Sequence, residues 1–284
     1  MTMSVAAVAA PFGRDLEAAF ALITDLVTRA RARGVRLLAL PEAALGGYLA
    51  DLGEAGEARV LLQDALPPAL DVDGPEVARL AAIAGDMVVT AGLCESDGTS
   101  RFNTAVAVTG DGVLGVHRKV HQPLGESNSY AAGDGFGAFD SPIGRMGMMI
   151  CYDKAFPESA RTLAMDGAEV ICCMSAWPAA RTQSTPDLAE DRWTRRFDLF
   201  DQARALENQV VWLSANQSGT FGRLRFVCSA KVVGPGGEVL ATTGVEPGMA
   251  VAEVDVRELL DGARRSMAHL RDRRPDSYGV LAGV

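Results

Sequence analysis

The chain has 284 residues and a net charge of −9, from 27 Lys and Arg against 36 Asp and Glu. This acidic balance excludes general nucleic-acid binding and polybasic membrane contact, which both need clustered Lys and Arg, and leaves a small molecule as the expected partner. The five cysteines (Cys94, Cys151, Cys172, Cys173 and Cys228) show no framework spacing, and His117, His121 and His269 form no H-E-x-x-H, so free thiols in a reducing, cytoplasmic compartment are expected and a zinc site is not.

Strands and helices alternate along the chain. The opening MTMSVAAVAA is small and apolar but lacks a basic leader, so it predicts a buried strand over Ser4–Ala10 rather than a signal peptide. Leu16, Ala19, Phe20, Ile23, Val27 and Ala30 carry helical spacing over Asp15–Arg33, bounded by Arg14-Asp15 and Gly34. Val35–Leu40 is a continuous apolar run, of the kind buried on both faces, and Pro41-Glu42 stops it. Residues 45–74 hold Gly46, Gly47, Gly53, Gly56, Pro67, Pro68 and Gly74 and predict a long irregular loop, a common place for function. A helix over Pro75–Gly85 and a strand over Met87–Cys94 come next. A hairpin of Asn103–Thr109 and Gly112–Lys119 then turns at Gly110-Asp111. Gly144–Cys151 predicts a strand, Pro157–Asp166 a helix, Glu169–Ser175 a strand and Asp191–Asn208 a long helix. Strands over Val210–Ala215, Phe226–Val233, Glu238–Thr243 and Met249–Val254 precede a helix over Val256–Leu270. No apolar run approaches the ~20 residues that span a membrane. No repeat or linker divides the chain, so residues 1–284 are expected to form one domain. Parallel βα units followed by antiparallel hairpins predict a mixed, layered α/β fold.

Cys151 ends the apolar run Met146–Ile150 and stands before the helix near Phe156-Pro157. A thiol at a strand end facing a helix start feels a positive local field, which lowers its pKa and frees the thiolate. Position alone leaves two readings, a nucleophile or a small core residue. Cys94, Cys172, Cys173 and Cys228 lie inside strand-like runs and read as core thiols. No histidine stands at a strand end with an Asn or Asp partner, which weakens a Cys/His pair. Glu42, by contrast, directly follows Val35–Leu40, and Lys119 ends the strand after Gly112–Val116. Both lie at the same kind of edge as Cys151. Read alone, each is an ordinary exposed charge, although the only other lysines are Lys154 and Lys231.

LLALPEAALGGY around Glu42, HRKVHQPLGE around Lys119 and GRMGMMICYDKAFPESARTLAMDGAEV around Cys151 together resemble the nitrilase superfamily of carbon–nitrogen hydrolases. RALENQVVWLSANQSG (204–219), the Gly-Pro-Gly-Gly-Glu turn at 234–238 and RDRRPDSY near the end extend the resemblance in family order. It implies a four-layer α-β-β-α sandwich with Glu42, Lys119 and Cys151 as a catalytic triad and no metal or organic cofactor. Glu126, seven residues after Lys119, matches a second glutamate that many members place beside the triad. The implied reaction is hydrolysis of a non-peptide C–N bond in a small amide or N-carbamoyl compound, through a thioester on Cys151. Lys119 and the backbone N–H of Tyr152 would stabilise the oxyanion, Glu42 would move the proton, and water would complete the turnover. Members acting on nitriles commonly follow the cysteine with Trp-Glu. Tyr152-Asp153 and Phe156-Pro157-Glu158 look more like the amidase and N-carbamoyl hydrolase branch, with a nitrilase, an acyl transferase or a non-catalytic homologue as alternatives.

The resemblance also places Ser175, Ala176 and Trp177 where the family lines its pocket; for Trp177 a core aromatic is the competing reading. Residues 45–74 and 178–192 are expected to form the rim that selects the substrate. Arg181, Arg192 and Arg195 in or near it read as surface arginines rather than carboxylate binders. Family members commonly dimerise through helices beside the nucleophile strand, here Phe156–Asp166 and Asp191–Asn208. The segment 264–284, rich in arginine and ending apolar, reads as an arm crossing to the partner of a homodimer or higher oligomer.

Overall fold

The computed structural model describes residues 2–53 and 66–279. The strand β1 (Met3–Ala10) leads into helix α1 (Leu16–Ala32), whose first turn is capped by Asp15 accepting the N–H groups of Glu17 (2.9 Å) and Ala18 (3.1 Å). Then come β2 (Val35–Ala39), α2 (Pro75–Ala84), β3 (Val88–Ser96) and the hairpin of β4 (Arg101–Thr109) and β5 (Gly112–Arg118). The second half holds β6 (Phe139–Ser141), β7 (Gly144–Ile150), α3 (Pro157–Met165), β8 (Val170–Ser175), α4 (Arg192–Asn208) and β9 (Val211–Gln217). A short hairpin of β10 (Thr220–Phe221) and β11 (Leu224–Arg225) follows, then β12 (Lys231–Val233), β13 (Val239–Thr242), β14 (Gly248–Val254) and α5 (Val256–Ser266).

Among the described residues, two six-stranded halves result. One runs β14-β1-β2-β3-β4-β5 and the other β13-β12-β9-β8-β7-β6. They join where Ala9 and Ala10 of β1 pair with Asn216 and Gln217 of β9. Alternate side chains of a strand face opposite sides, and here both sides are apolar. Val5, Ala7, Leu37 and Val88 of the first half meet Met146, Cys172, Leu213 and Val232 of the second. On the outer faces, Ala6 and Val8 pack under Phe20 and Ile23 of α1, and Ile171 and Cys173 pack under Leu163 of α3 and Ala205 of α4. Helix, sheet, sheet and helix layers therefore stack in the expected α-β-β-α order.

The strand directions position everything that follows. β1, β2 and β3 are mutually parallel, as are β7, β8 and β9, and β1 is parallel to β9. Two antiparallel steps, β3 to β4 and β4 to β5, return β5 to the same direction. The C-terminal ends of β2, β5, β7, β8 and β9 thus share one edge of the sandwich, and loops leaving that edge bring their side chains together.

Some elements differ from the sequence expectation. Phe226–Val233 does not form one strand. Cys228 adopts φ 62°, the N–H groups of Phe226 and Val227 donate to the carbonyls of Gly219 and Trp177, and only Lys231–Val233 joins the sheet. The final helix stops at Ser266 instead of Leu270, because the Gln209 side chain donates to the carbonyls of Ala263 and Met267 and accepts from the N–H of His269. The short β6, β10 and β11 carry too few residues to show an alternation. Within the predicted loop 45–74, residues 54–65 lie outside the described residues, as does the apolar end of the C-terminal segment, 280–284.

Candidate active site

Glu42 leaves β2 through Leu40-Pro41 and lies tight against β3. The Gly92 N–H donates to the Pro41 carbonyl (3.3 Å), and the Leu45 N–H donates to the Gly92 carbonyl (3.0 Å). A Cβ on Gly92 would stand 2.3 Å from the Ala43 nitrogen and 2.8 Å from the Glu42 Cα, so only glycine permits this approach. From the end of β9, Gln217 donates to the Glu42 carbonyl (2.9 Å). The Glu42 carboxylate accepts the N–H of Ala176, at the end of β8, on one oxygen. Its other oxygen accepts Lys119 Nζ (3.0 Å) and Asn103 Nδ2 (2.6 Å).

Lys119 follows β5 and reaches Glu126 as well (2.7 Å). Glu126 also accepts Asn103 Nδ2 (2.8 Å) and the Tyr48 hydroxyl (3.0 Å). Glu42, Lys119 and Glu126 are wholly buried. The structure thus brings the three charged residues into one network, with Asn103 bridging both carboxylates. Burial opposes the charge on Lys119, but Glu126 and Glu42 overcome it and hold the ammonium protonated above the usual lysine range. Burial and the nearby charge of Glu42 push the Glu126 carboxyl up, against the pull of Lys119. Burial likewise pushes the Tyr48 hydroxyl up and keeps it a donor.

Cys151 opens the tight turn Cys151–Ala155 that follows β7. Its φ of 50° lies in the left-handed region, which non-glycine residues seldom occupy without support. Asp153 supplies that support. Its buried carboxylate accepts the N–H groups of Ile150 (3.1 Å), Val120 (3.2 Å) and His121 (2.9 Å), and both histidine rings: His117 Nε2 (3.1 Å) and His121 Nδ1 (2.9 Å). The Lys119 segment and the cysteine turn are therefore stapled through one aspartate. The thiol behaves oppositely to the sequence expectation. Burial, then the charge of Glu42, raises the Cys151 thiol well above its usual range, and the opposing Lys119 does not compensate. A local helix start is outweighed by desolvation, which no local pattern reveals.

Cys151, Tyr152, Ala176 and Trp177 line a cavity of about 300 Å³ together with Tyr48, Leu52, Leu124 and Trp193. Trp177 is nearly buried and packs 5.8 Å from both Trp193 and Phe197, so it is wall and core at once. Ser175 is a correction. It is fully buried at the end of β8, and alternation turns it away from the cavity to the side of Cys173, with Oγ 3.8 Å from Sγ. Of the rim segments, Tyr48, Leu52 and Pro178 reach the cavity. Arg181, Arg192 and Arg195 do not line it.

A second buried charge cluster lies among residues to which the sequence assigns no role. Asp201 of α4 accepts Lys154 Nζ (2.7 Å), Lys231 Nζ (3.0 Å) and Trp212 Nε1 (3.0 Å), and Lys231 also pairs with Asp198 (2.8 Å). Lys154 Nζ sits 3.1 Å from the Phe197 ring centroid and 5.3 Å from that of Trp177. It ties the cysteine turn to the helix layer. In the sequence Lys154 and Lys231 stand out only by the scarcity of lysine in an arginine-rich chain.

The carbon–nitrogen hydrolase family profile matches residues 4–261, from β1 into α5. A probable nitrilase of Schizosaccharomyces pombe is 32% identical over 182 residues, which span 63% of this chain and 62% of that protein's length. N-carbamoylputrescine amidase of Arabidopsis thaliana is 28% identical over 94% of this chain and 91% of its own. Among solved structures, a mutant of the Nesterenkonia AN1 amidase from the nitrilase superfamily has a TM-score of 0.76 at 26% identity, covering 98% of this chain and 97% of that one. With the layered fold, the shared strand edge and a family match across nearly its whole length, the chain belongs to the carbon–nitrogen hydrolase family.

Proposed function

We propose that the chain hydrolyses a small amide or N-carbamoyl compound, with Cys151 as nucleophile, Glu42 as proton carrier and Lys119 as the cation that meets the developing oxyanion. The observation that carries this reading is one buried ammonium held between two buried carboxylates, beside a thiol that lines a cavity. Cys151 Sγ attacks the carbonyl carbon as its proton passes to Glu42. Because burial keeps the thiol protonated, this transfer accompanies the attack instead of preceding it. Charge on the carbonyl oxygen is met by the Lys119 ammonium and by the N–H of Tyr152, in a turn whose first N–H groups have no acceptor within it. The C–N bond then breaks, Glu42 protonates the departing nitrogen, and ammonia or an amine leaves a thioester on Cys151. Glu42 next takes a proton from water as its oxygen attacks the thioester. The C–S bond breaks, the acid departs and the thiol recovers its proton. Glu126, Asn103 and Tyr48 hold Lys119 and Glu42 in register.

The same reading takes residues 1–284 as one catalytic domain that works where five unpaired thiols persist, in a reducing, cytoplasmic setting. It pairs as a homodimer through α3 and α4, which expose Met165, Leu199 and Leu206, with 264–284 as the crossing arm.

Intact-mass measurement of wild-type and Glu126→Gln protein, quenched in acid during turnover of a panel of amides, tests the mechanism. An acyl adduct on Cys151 is expected. Undiminished amide turnover by Cys151→Ala would overturn it, and conversion of a nitrile with its matching amide untouched would favour a nitrilase instead.

A further inference from the structure

We propose that the cavity selects uncharged amides with a flat, apolar acyl group, such as an arylacetyl chain, and rejects amides that carry a carboxylate or an ammonium. The inference rests on the amide-hydrolase reading above and specifies its substrate class. Among the described residues, the cavity wall carries no charged side chain. Its surfaces are the rings of Tyr48, Tyr152, Trp177 and Trp193 and the aliphatic faces of Leu52 and Leu124.

Two polar groups in this wall are committed within the chain, while the indole N–H groups of Trp177 and Trp193 have no partner among the described residues and stand as neutral donors. The Tyr48 hydroxyl donates to Glu126 (3.0 Å), and Gln122 Nε2 donates to the carbonyls of Lys119 (3.0 Å) and Ala131 (3.3 Å). The arginines of the surrounding segment are spent on this chain's own groups. Arg181 lies 3.8 Å from Asp51 and 3.4 Å from the Gly53 carbonyl. Arg192 holds Gln183 (2.9 Å) and Thr182 (2.7 Å), and Arg195 holds Glu190. A carboxylate on the substrate's far end would enter an apolar space and find no cation there. An ammonium would find no carboxylate there. Each would lose its water with no opposite charge to replace it, a penalty that a neutral chain avoids.

Shape supports the same choice. Trp177 is held edge-on by Phe197 (5.8 Å) and Phe200 (6.1 Å) and tilted against Trp193 (5.8 Å), so it presents a fixed aromatic wall. A planar ring stacks there with little loss of freedom. The volume of about 300 Å³ stands at the small end for ligand pockets, enough for a single ring and its amide.

The test compares phenylacetamide with succinamate and 4-aminobutanamide. Ammonia release by the wild-type protein should give phenylacetamide a kcat/KM at least about tenfold above either charged amide, the scale on which pocket complementarity discriminates. Trp177→Ala should shrink the preference for phenylacetamide over acetamide by about tenfold, and Trp177→Phe should restore part of it if the alanine variant folds poorly. The same three ligands are titrated into Cys151→Ala protein by tryptophan fluorescence, and the same order of affinity is expected. If wild-type protein releases no ammonia from any amide, the hydrolase reading fails while the binding order still decides this proposal. A charged amide that binds, or is turned over, as well as phenylacetamide overturns it.

Discussion

Asp153→Asn is the substitution whose effect follows most directly from the geometry. The side chain keeps its size and loses its charge. In the wild-type protein burial alone would raise this carboxyl, but hydrogen bonds from His117 and His121, the charge of His117 and the N–H of Ile150 overcome it and hold the group at about 2, against 3.8 for a free aspartate. A depression of that size contributes about 2.4 kcal/mol to folding at neutral pH. Asparagine forfeits the whole of it. Its amide also turns a donor toward either the Ile150 N–H or the N–H groups of Val120 and His121, which adds about 1 kcal/mol or more for donors left unmatched. The expected loss is about 3–4 kcal/mol at pH 7, read as a fall in the urea midpoint at unchanged slope. The sign with pH is set by the depressed value. The wild-type contribution is complete above about pH 4 and fades as pH falls toward 2, so the gap between the two proteins should narrow over that window. A loss below about 1 kcal/mol at pH 7, or a gap that does not narrow, would refute the account of Asp153 as the charged staple of the cysteine turn.

Asp201→Ala should be more damaging still. It strands the Lys154 ammonium in the interior and leaves Lys231 with Asp198 alone, and breaking a buried pair from one side costs about 3–5 kcal/mol, a large part of a domain's stability. Denaturant titration measures it, and a loss under about 1.5 kcal/mol would contradict the cluster's role. The proposed pairing through α3 and α4 predicts a light-scattering mass of twice the chain, and a return to one chain in Leu199→Asp protein. A monomeric wild-type protein would remove that proposal.

The sequence makes the strand-end positions of Glu42, Lys119 and Cys151 legible for a simple reason. Each closes an apolar run, and a run that stops at a polar residue marks where a buried strand leaves the sheet. Continuous apolar strands likewise reveal a sheet covered on both faces, and so the layered fold. Asn103 stays hidden because it sits inside β4, 61 residues from Glu42 and 23 from Glu126, at a position that differs from its strand neighbours only in polarity. Gly92 looks like any strand glycine until the Glu42 backbone is laid against it. The Cys151 shift runs opposite to the sequence expectation because a helix start can be read locally, whereas desolvation depends on everything packed around the thiol. Ser175 illustrates the sensitivity of strand register: one step along β8 separates a wall residue, Ala176, from one that faces the helices.

The fate of the lysines has a practical side. Lys119, Lys154 and Lys231 are all buried, and arginine supplies every other cationic side chain. Reagents that acylate primary amines, whether crosslinkers, dyes or activated supports, therefore meet no lysine on the native exterior. Modification of these three side chains becomes a record of how often the interior opens.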